Sequence, residues 1–326
     1  MSKMNLAAMA ALSSAVLVSS GVVAQDRDGW PNNFTMGTAS QGGTYFAYGS
    51  GWANYMADEL NISGGAEVTG GPMQNMALVH SNDLGFGLTT MGPAAQSMAG
   101  NSSVAPGVEM DMACAMFPMY ETPFSITVLS SSGIESISDI PANSRIGFGP
   151  AGSTSDTYFP EMLSELGVDF RRRNGGWNDL GAQLQDGLLD VIAFAAGIPI
   201  PAVSQLEVQT DVNIIEFAAD ELAQIQDQFP VAEFMIPAST YTTLESDARA
   251  VSMWNFAIAN CDMPESLVYE MTKLTMENND RMVGIHASAS ATVPENYVHN
   301  NVLPWHPGAA RWFNENGYEI ADSDIR

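Results

Sequence analysis

The sequence predicts an α/β protein made of two lobes. From Asn33 onwards, short apolar strands alternate with helix-like segments, and glycine, serine, threonine and proline occupy the joints between them. This alternation is typical of an α/β fold. About 300 residues follow an N-terminal leader, which exceeds the usual size of one domain and indicates two lobes. The hydrophobic fraction of 46% is sufficient for a core in each lobe.

The leader, residues 1–24, has the features of a secretory signal peptide. Lys3 precedes an uncharged run over Leu6–Val18, and small residues end the segment at Ala24. The apolar run is too short to cross a bilayer comfortably. We therefore expect cleavage near Ala24, a mature chain that begins near Gln25, and a periplasmic location. A retained membrane anchor is the alternative.

The charge balance excludes two classes of partner. The chain has 37 acidic and 11 basic residues, with a formal net charge of −26. Such a surface repels the phosphates of nucleic acid and of anionic lipid, so we expect neither as a partner. In a salty environment the carboxylates repel one another little, and the charge then favours solubility. Specific cation binding is the alternative.

The first predicted unit is a strand, a glycine turn and a helix, around the segment SQGGTYFAYGSG. Phe34 and Met36 alternate with polar neighbours, which indicates a strand. The turn at Gly43 leads into a helix. Its apolar face is formed by residues at three- and four-residue steps: Tyr45, Tyr48, Trp52 and Met56.

The same design returns about 110 residues later, in SRIGFGPAGSTSDTYFPEMLSELG. Ile146 and Phe148 suit a strand, Ser153 or Ser155 can cap the helix, and Gly167 ends it. Two glycine turns of similar design imply two lobes that each offer a helix N-terminus.

The later segments continue the alternation. Leu180, Leu184 and Leu188 form one helix face, and DVIAFAAG follows as a buried strand. ARAVSMWNFAIANC is a candidate for a long apolar strand, and PESLVYEMTKLTMENND is a candidate for a helix. The tail NVLPWHPGAARWFNENGYEI indicates a capped helix that ends at Gly317.

The sequence carries no recognisable catalytic or metal-binding motif. The glycines of QGGTY are not followed by a lysine, so the Walker loop of an ATPase is absent. GFGLTTMG has Thr90 where a dinucleotide fingerprint needs its third glycine. There is no G-x-S-x-G elbow, and His299 and His306 lack the H-E-x-x-H arrangement of a zinc site. We expect a protein without a catalytic residue, a metal or a cofactor.

The predicted helix N-termini are the candidate site. The unpaired N–H groups and the dipole of a helix start favour an anion, and two such ends can hold one small carboxylate between them. Hydroxyl and amide side chains at these turns can orient a ligand: Thr44, Asn75, Thr89, Thr90, Ser153, Thr154 and Ser155. Each serine or threonine of this set is equally well explained as a helix cap.

Cys114 and Cys261 are the only cysteines of the chain. Because the chain carries an export signal, a single disulfide between them is chemically permitted. Two buried free thiols are the alternative.

Several motifs occur in the order known from one protein family. MGTASQGGTYFAYGSGWANYM resembles its opening strand and Gly-Gly-Thr-Tyr turn, and VTGGPMQNMALVHSNDLGF resembles its asparagine-containing helix. GPAGSTSDTYFPEMLSELG is similar to the helix start of its second lobe, and QDGLLDVIAFAAGIPIPAV to the strand and Gly-x-Pro exit that follow. MPESLVYEMTK and LPWHPGAARWFNENG resemble its C-terminal helix and His-Pro-Gly-Ala ending. By these motifs the chain resembles the TAXI class of solute receptors of TRAP transporters.

The resemblance implies a type II periplasmic-binding-protein fold, in which crossing strands join two α/β lobes and a cleft lies between them. Lobe 1 would comprise residues 25–123 and 253–326, and lobe 2 residues 124–252. Such a receptor captures a small organic anion by lobe closure, with an amino acid such as glutamate or an oxo- or dicarboxylate as candidates. It delivers this ligand, as a monomer, to a TRAP permease driven by an ion gradient.

The resemblance also places residues in the cleft. The ligand wall would contain Gly43, Thr44, Tyr45, Asn75, Thr89 and Thr90 in lobe 1, and Ser153, Thr154, Ser155, Gly197 and Pro199 in lobe 2. We expect Tyr45 to face the ligand. Because cationic residues are scarce, N–H groups and hydroxyls should carry carboxylate recognition, with Arg145 or Arg249 as the exceptions. The crossing strands of the family fall near both cysteines, so a disulfide that braces the hinge is a hypothesis.

Two other functions are alternatives at this point. A ligand-sensing receptor for signalling would use the same closing fold without a permease. A hydrolase would use Ser153 or Ser155 as its nucleophile, but the sequence shows no base for either. We expect a binding protein and not an enzyme.

Overall fold

Two α/β lobes share a pair of long crossing strands, β4 (Ala113–Leu129) and β10 (Ala248–Asn260). The computed structural model describes residues 27–326, and the predicted signal peptide with its cleavage site near Ala24 lies outside them. We define lobe 2 as the part of the chain between the middle of β4 and the middle of β10, and lobe 1 as the rest. No helix among the described residues is both long enough and apolar enough to span a bilayer.

Lobe 1 is built from three strand–helix units and a C-terminal helical layer. Its elements are β1 (Asn33–Gly37), α1 (Thr44–Leu60), β2 (Ser63–Glu67), α2 (Pro72–His80), β3 (Phe86–Thr90), α3 (Met91–Met98), α8 (Glu265–Glu277), α9 (Asn279–Ile285) and α10 (Pro307–Glu315). The sheet has the order β2-β1-β3-β10-β4, with β10 antiparallel to both of its neighbours. The predicted apolar face of α1 is confirmed, because Tyr48, Trp52 and Met56 are fully buried against this sheet.

Lobe 2 repeats the strand–helix alternation around its own core. Its elements are β5 (Ser144–Gly147), α4 (Thr154–Glu165), β6 (Phe170–Arg173), α5 (Trp177–Gln185), β7 (Val191–Ala195), α6 (Pro201–Gln209), β8 (Val212–Ile215), α7 (Ala219–Gln228) and β9 (Ala232–Ile236). The second half of β4 lies between β7 and β8. Leu180 and Leu184 are buried as predicted, but Leu188 is 57% exposed. The reason is that α5 ends at Gln185 and Gly187, with φ +68°, turns the chain away.

The crossing strands form the hinge between the lobes. They pair antiparallel from Asn260 opposite Ala113 to Ser252 opposite Pro123. Past that point β4 pairs with β7 and β8, and the first half of β10 pairs with β9. We define the hinge as residues 120–123 and 252–255. The lobe boundaries predicted at 123/124 and 252/253 lie in it and stay a prediction.

The two cysteines form a disulfide, with their Cα atoms 5.2 Å apart, so the alternative of two free thiols is wrong. Its place differs from the prediction. Cys114 lies at the start of β4 and Cys261 directly after β10, where its N–H donates to the Met112 carbonyl oxygen. The disulfide therefore ties the strand ends inside lobe 1, nine residues before Pro123, and does not brace the hinge.

His306 begins the C-terminal helix α10 as a buried neutral side chain. It is 1% exposed, its Nδ1 accepts a hydrogen bond from the Gly308 N–H at 3.1 Å, and its Nε2 lies 3.1 Å from the Met263 carbonyl oxygen. Burial lowers the pKa of His306 to about 4. Between about pH 6.5 and pH 4 the unfolded chain therefore binds a proton that the native chain does not, so acidification favours unfolding.

Because only the unfolded chain protonates His306 in this range, we expect the free energy of unfolding to fall by about 3 kcal/mol when the pH is lowered from 7 to 4. Denaturant unfolding of the protein and of the His306→Asn variant at both pH values measures the effect. The variant keeps a side chain that can cap the helix but loses the contact of Nε2 with the Met263 carbonyl oxygen and should be less stable at pH 7. It should lose about 3 kcal/mol less on acidification. Equal losses in the two proteins would contradict the assignment.

Candidate ligand-binding site

A cavity in the cleft, in front of the hinge, is the candidate ligand-binding site. Both lobes contribute to its wall. The lining residues are Ala39, Gly43, Thr44, Tyr45, Pro72, Thr90 and Thr122 from lobe 1 and the hinge, and Ser153, Thr154, Trp177, Ala195 and Ala196 from lobe 2. None of these twelve side chains carries a formal charge.

Five helices of the described chain begin at this cavity. The wall residues at their starts are Gly43 and Thr44 of α1, Pro72 of α2, Thr90 before α3, Ser153 and Thr154 of α4, and Trp177 of α5. Among their capping residues only Ser153 accepts a hydrogen bond through its side chain, from the Asp156 N–H at 3.2 Å. At the other four helices the capping residue makes no such bond, although the Trp177 N–H of α5 donates to the Ser40 Oγ atom at 3.4 Å. The positive ends of five helix dipoles lie at this cavity.

A hydroxyl network around Asn255 of β10 forms one side of the cavity. The Asn255 Oδ1 atom accepts hydrogen bonds from Tyr45 at 2.6 Å, from Thr90 at 2.8 Å and from Thr122 at 3.0 Å. The Thr90 Oγ1 atom also lies 2.8 Å from the Thr154 Oγ1 atom across the cleft. Burial raises the pKa of Tyr45, so its hydroxyl is a neutral donor at all physiological pH values.

Asn255 determines which hydroxyl remains available to a ligand. A side-chain carbonyl oxygen has two lone pairs, yet three hydroxyls reach Oδ1, so one of the three donors is surplus. Thr122 makes the longest of these contacts, and its Oγ1 already accepts from the Asn255 Nδ2 at 2.7 Å. Thr122 lines the cavity, so its hydroxyl proton can turn to a ligand, and the Tyr45 hydroxyl has a second acceptor in the Thr90 Oγ1 atom at 2.9 Å.

Cationic side chains lie away from the cavity. Arg145 forms a two-point pair with Asp190, at 2.6 and 2.9 Å, and this pairing lowers the pKa of that carboxyl. Arg249 pairs with Glu216 at 3.4 Å. Neither arginine reaches the cleft, so an anion there would be held by N–H groups and hydroxyls alone.

The structure brings six of the residues predicted for the site together around the cavity: Gly43, Thr44, Tyr45, Thr90, Ser153 and Thr154. The Tyr45 ring lines the wall while its hydroxyl turns to Asn255. The Ser153 hydroxyl is already occupied. It accepts from the Asp156 N–H as the cap of α4, and it donates to the Phe148 carbonyl oxygen at 3.2 Å.

Asn75 and Ser155, also predicted for the site, hold the scaffold and do not line the cavity. The Asn75 Nδ2 donates to the carbonyl oxygens of Thr38 and Leu88, each at 2.8 Å, and so ties α2 to β1 and β3. The Ser155 Oγ accepts from the Ala195 N–H at 2.6 Å. Both side chains satisfy buried backbone groups, which a ligand could not then use.

The last three predicted residues, Thr89, Gly197 and Pro199, also lie outside the cavity. Thr89 faces away because successive strand residues point to opposite faces, and its neighbour Thr90 is the one in the wall. The Gly197 carbonyl oxygen accepts from the Thr44 hydroxyl. Pro199, in a cis peptide after Ile198, lies in a separate groove.

Sequence reasoning missed two residues of the cavity wall, Thr122 and Trp177, and the asparagine behind the wall, Asn255. Asn255 and Thr122 lie on the crossing strands, and the signal for Asn255 was a single amide inside the apolar run MWNFAIA. Trp177 follows Gly175 and Gly176, the same Gly-Gly helix start as in QGGTY. Its indole N–H has no hydrogen-bond partner within residues 27–326, so it is a further donor for a ligand.

The lobes touch across the cleft, so the described conformation is closed. The Thr44 hydroxyl donates to Gly197, and the Ala202 N–H donates to the Gly42 carbonyl oxygen at 3.0 Å. The cavity volume is about 30 Å³, room for one or two water molecules. A larger ligand therefore enters only when the lobes separate about the hinge. In the part of the chain that the structure describes, no group of three His, Cys, Asp or Glu side chains is arranged to hold a metal ion.

Comparisons with known proteins agree with this architecture. The model of the NMT1-like family matches residues 36–317. No curated protein matches the chain in sequence.

Solved structures of binding proteins share the fold. MatC from Rhodopseudomonas palustris, with bound malate, has a TM-score of 0.58 at 14% identity, over 87% of this chain and 99% of MatC. The periplasmic binding protein BugD has a TM-score of 0.57 at 15% identity, over 88% and 98% of the two chains. An R. palustris protein with adipate has a TM-score of 0.53 at 16% identity, over 78% of this chain and 83% of that protein's chain. The predicted α/β periplasmic-binding-protein fold is confirmed.

Proposed function

The chain belongs to the NMT1-like family, and we propose that it is a periplasmic solute-binding receptor that closes on a small organic anion. One observation carries this proposal: five helix N-termini meet at a cleft cavity between two hinged lobes. The TAXI-class motifs support delivery of the ligand to a TRAP permease by a monomeric receptor, with export directed by the N-terminal leader.

The anion would be recognised without a cationic side chain. Each uncapped helix start offers free N–H donors and a partial positive charge, worth about 0.3–1 kcal/mol and up to about 2 kcal/mol when partly buried. Thr122 and Thr154 add hydroxyl groups, and Trp177 adds an indole N–H. Several such bonds are enough for a micromolar dissociation constant, about −8 kcal/mol.

The ligand class we propose is a small carboxylate. Two solved structures that share the fold contain a carboxylate, malate in one and adipate in the other. The wall also contains apolar surface from Tyr45, Trp177, Ala39 and Pro72. A short carboxylate with an apolar body would place its charge at the helix starts and its carbon atoms against this surface.

We also propose that the protein is not an enzyme. Ser153 and Ser155, the two candidate nucleophiles, have their hydroxyls bonded to backbone groups of lobe 2, and neither is bonded to a histidine. A serine nucleophile needs an adjacent base. The cleft geometry supports binding and orientation and offers no group to move a proton.

The experiment is a thermal-shift screen of the mature protein against amino acids and mono-, di- and oxocarboxylates, followed by calorimetry. A ligand that binds only the folded state raises the melting temperature. We expect a clear shift with at least one carboxylate, and a loss of about tenfold in affinity for Thr154→Val, which removes one charge-assisted hydrogen bond.

Thr272→Val is the matched control, because Thr272 is a buried threonine of α8 that has no hydrogen-bond partner among the described residues and lies away from the cavity. It should leave the affinity unchanged. No shift with any carboxylate, together with no co-purifying anion in denatured extracts, would contradict the proposed function. Equal affinity of Thr154→Val and the unsubstituted protein would remove Thr154 from the site.

A further inference from the structure

A second concave site lies on the other side of the hinge from the cleft cavity. Its volume is about 470 Å³, in the range of small-molecule sites and far above that of the cleft cavity. It is enclosed by residues 287–291 of lobe 1, by β9 and residues 237–240 of lobe 2, and by the hinge. We call it the hinge groove.

Glu121 is the only charged residue among those that line the hinge groove. It follows Tyr120 and precedes Thr122 on β4, and Thr122 faces the cleft cavity, so Glu121 faces the opposite side. One carboxylate oxygen accepts from the Ser252 hydroxyl at 2.7 Å, and the second has no hydrogen-bond partner in the described part of the chain.

No cationic side chain neutralises this carboxylate within the groove, since no lysine, arginine or histidine is among the lining residues. His299 lies outside the wall, stacked on Trp254 with ring centroids 4.1 Å apart. Burial lowers the pKa of His299 although the charge of Glu121 opposes this shift, so the ring is neutral at pH 7. The negative charge of Glu121 is therefore available to a ligand.

The rest of the groove wall is suited to the body of an organic cation. Phe234 supplies a half-buried aromatic ring, and Pro199 and Pro237 supply apolar surface. The ring of Tyr120 is buried against Tyr48 and offers no face to the groove. The remaining polar groups of the wall are hydroxyls of serine and threonine. A carboxylate beside an aromatic ring is a combination that recognises ammonium groups, since both attract a cation that is weakly hydrated.

We propose that the hinge groove binds a small organic ammonium ion, with its charge at Glu121 and its alkyl groups against Phe234, Pro199 and Pro237. The groove is separate from the cleft cavity, and no residue lines both. A net charge of −26 raises the local concentration of cations at this surface and repels anionic competitors.

The groove and the cavity share one wall. The segment 195–199 places Ala195 and Ala196 in the cavity and Ile198 and Pro199 in the groove. Both lobes line the groove, so an occupant contacts each of them and favours the lobe arrangement in which these contacts are complete. An ammonium ligand should therefore change the affinity of the cavity for its own ligand, and the effect must be reciprocal.

The test uses choline and its neutral isostere 3,3-dimethylbutan-1-ol, titrated into the mature protein up to about 10 mM, which nearly fills a site of millimolar affinity. We expect choline to bind and the neutral alcohol to bind at least about tenfold more weakly, because only choline pairs with the carboxylate. This comparison needs no variant.

The second arm compares Glu121→Gln with Glu233→Gln. Glu233 is exposed on β9 next to Phe234 and does not line the groove, so its substitution makes the same change in net charge. Glu121→Gln should lower the affinity for choline about tenfold or more, while Glu233→Gln should leave this affinity unchanged. Absence of choline binding, equal binding of the alcohol, or equal effects of the two substitutions would each overturn the proposal.

Discussion

The substitution Asn255→Asp should weaken anion binding about 100-fold. The Asn255 side chain receives hydrogen bonds from Tyr45, Thr90 and Thr122, three residues of the cavity wall. A carboxylate at this position would put a full negative charge behind these hydroxyls. At a distance of about 6 Å and an effective dielectric constant of about 20, two like charges repel by about 3 kcal/mol, which corresponds to the expected loss.

The substitution changes very little in shape, so its effect on binding can be separated from unfolding. The new carboxylate would still accept from the three hydroxyls, but the Tyr120 carbonyl oxygen would lose the amide donor that lies 2.7 Å away. Calorimetry with the carboxylate ligand found in the screen measures the dissociation constant. Urea unfolding in the absence of ligand measures the separate cost to stability.

Asn260→Asp is the matched control. Asn260 lies on the same strand, is 2% exposed, and donates its amide to the Val79 carbonyl oxygen at 2.7 Å, but it is outside the cavity. It should cost stability and leave the dissociation constant within about twofold. If both variants bind with the affinity of the unsubstituted protein, the cavity is not an anion site. If both weaken binding equally, the effect of Asn255→Asp is not local.

Removal of the disulfide should give the largest loss of stability. The bond joins residues 147 apart in sequence, and closing so long a loop restricts the unfolded chain strongly. We expect the double variant Cys114→Ala/Cys261→Ala to lose about 2–5 kcal/mol of the free energy of unfolding, measured by urea unfolding under non-oxidising and oxidising conditions.

The unsubstituted protein in reducing agent is the control, and it should unfold at the same urea concentration as the double variant. Because Cys114 and Cys261 lie at the far end of lobe 1 from the cavity, the affinity for ligand at a temperature where both proteins are folded should not change. A double variant that matches the oxidised protein in stability would show that the disulfide contributes nothing to the native state.

The sequence was informative where a local rule determines structure. The Gly-Gly-Thr-Tyr turn and the capping Ser153 follow from the conformational needs of a helix start, and both helix starts are where they were expected. Most of the predicted residues that line the cavity came from these two turns. The apolar run ARAVSMWNFAIANC likewise predicted the long strand β10.

The rest depends on contacts between distant segments. Asn255 contacts the cavity wall only because β10 pairs with β3 and β4, which places it beside Thr90 and Thr122. The role of Asn75 depends on the carbonyl oxygens of Thr38, directly after β1, and of Leu88 in β3. No local pattern distinguishes an asparagine that binds a backbone group from one that binds a ligand, so these assignments required the tertiary structure.

The insertion of lobe 2 into lobe 1 also has a consequence for the rate of folding. The sheet of lobe 1 is complete only when β10 lies between β3 and β4, and Thr90 pairs with Asn255, 165 residues later. Contacts between such distant residues form slowly, because a long loop must close first. A chain that is synthesised from its N-terminus therefore cannot complete the sheet of lobe 1 before all of lobe 2 has been made.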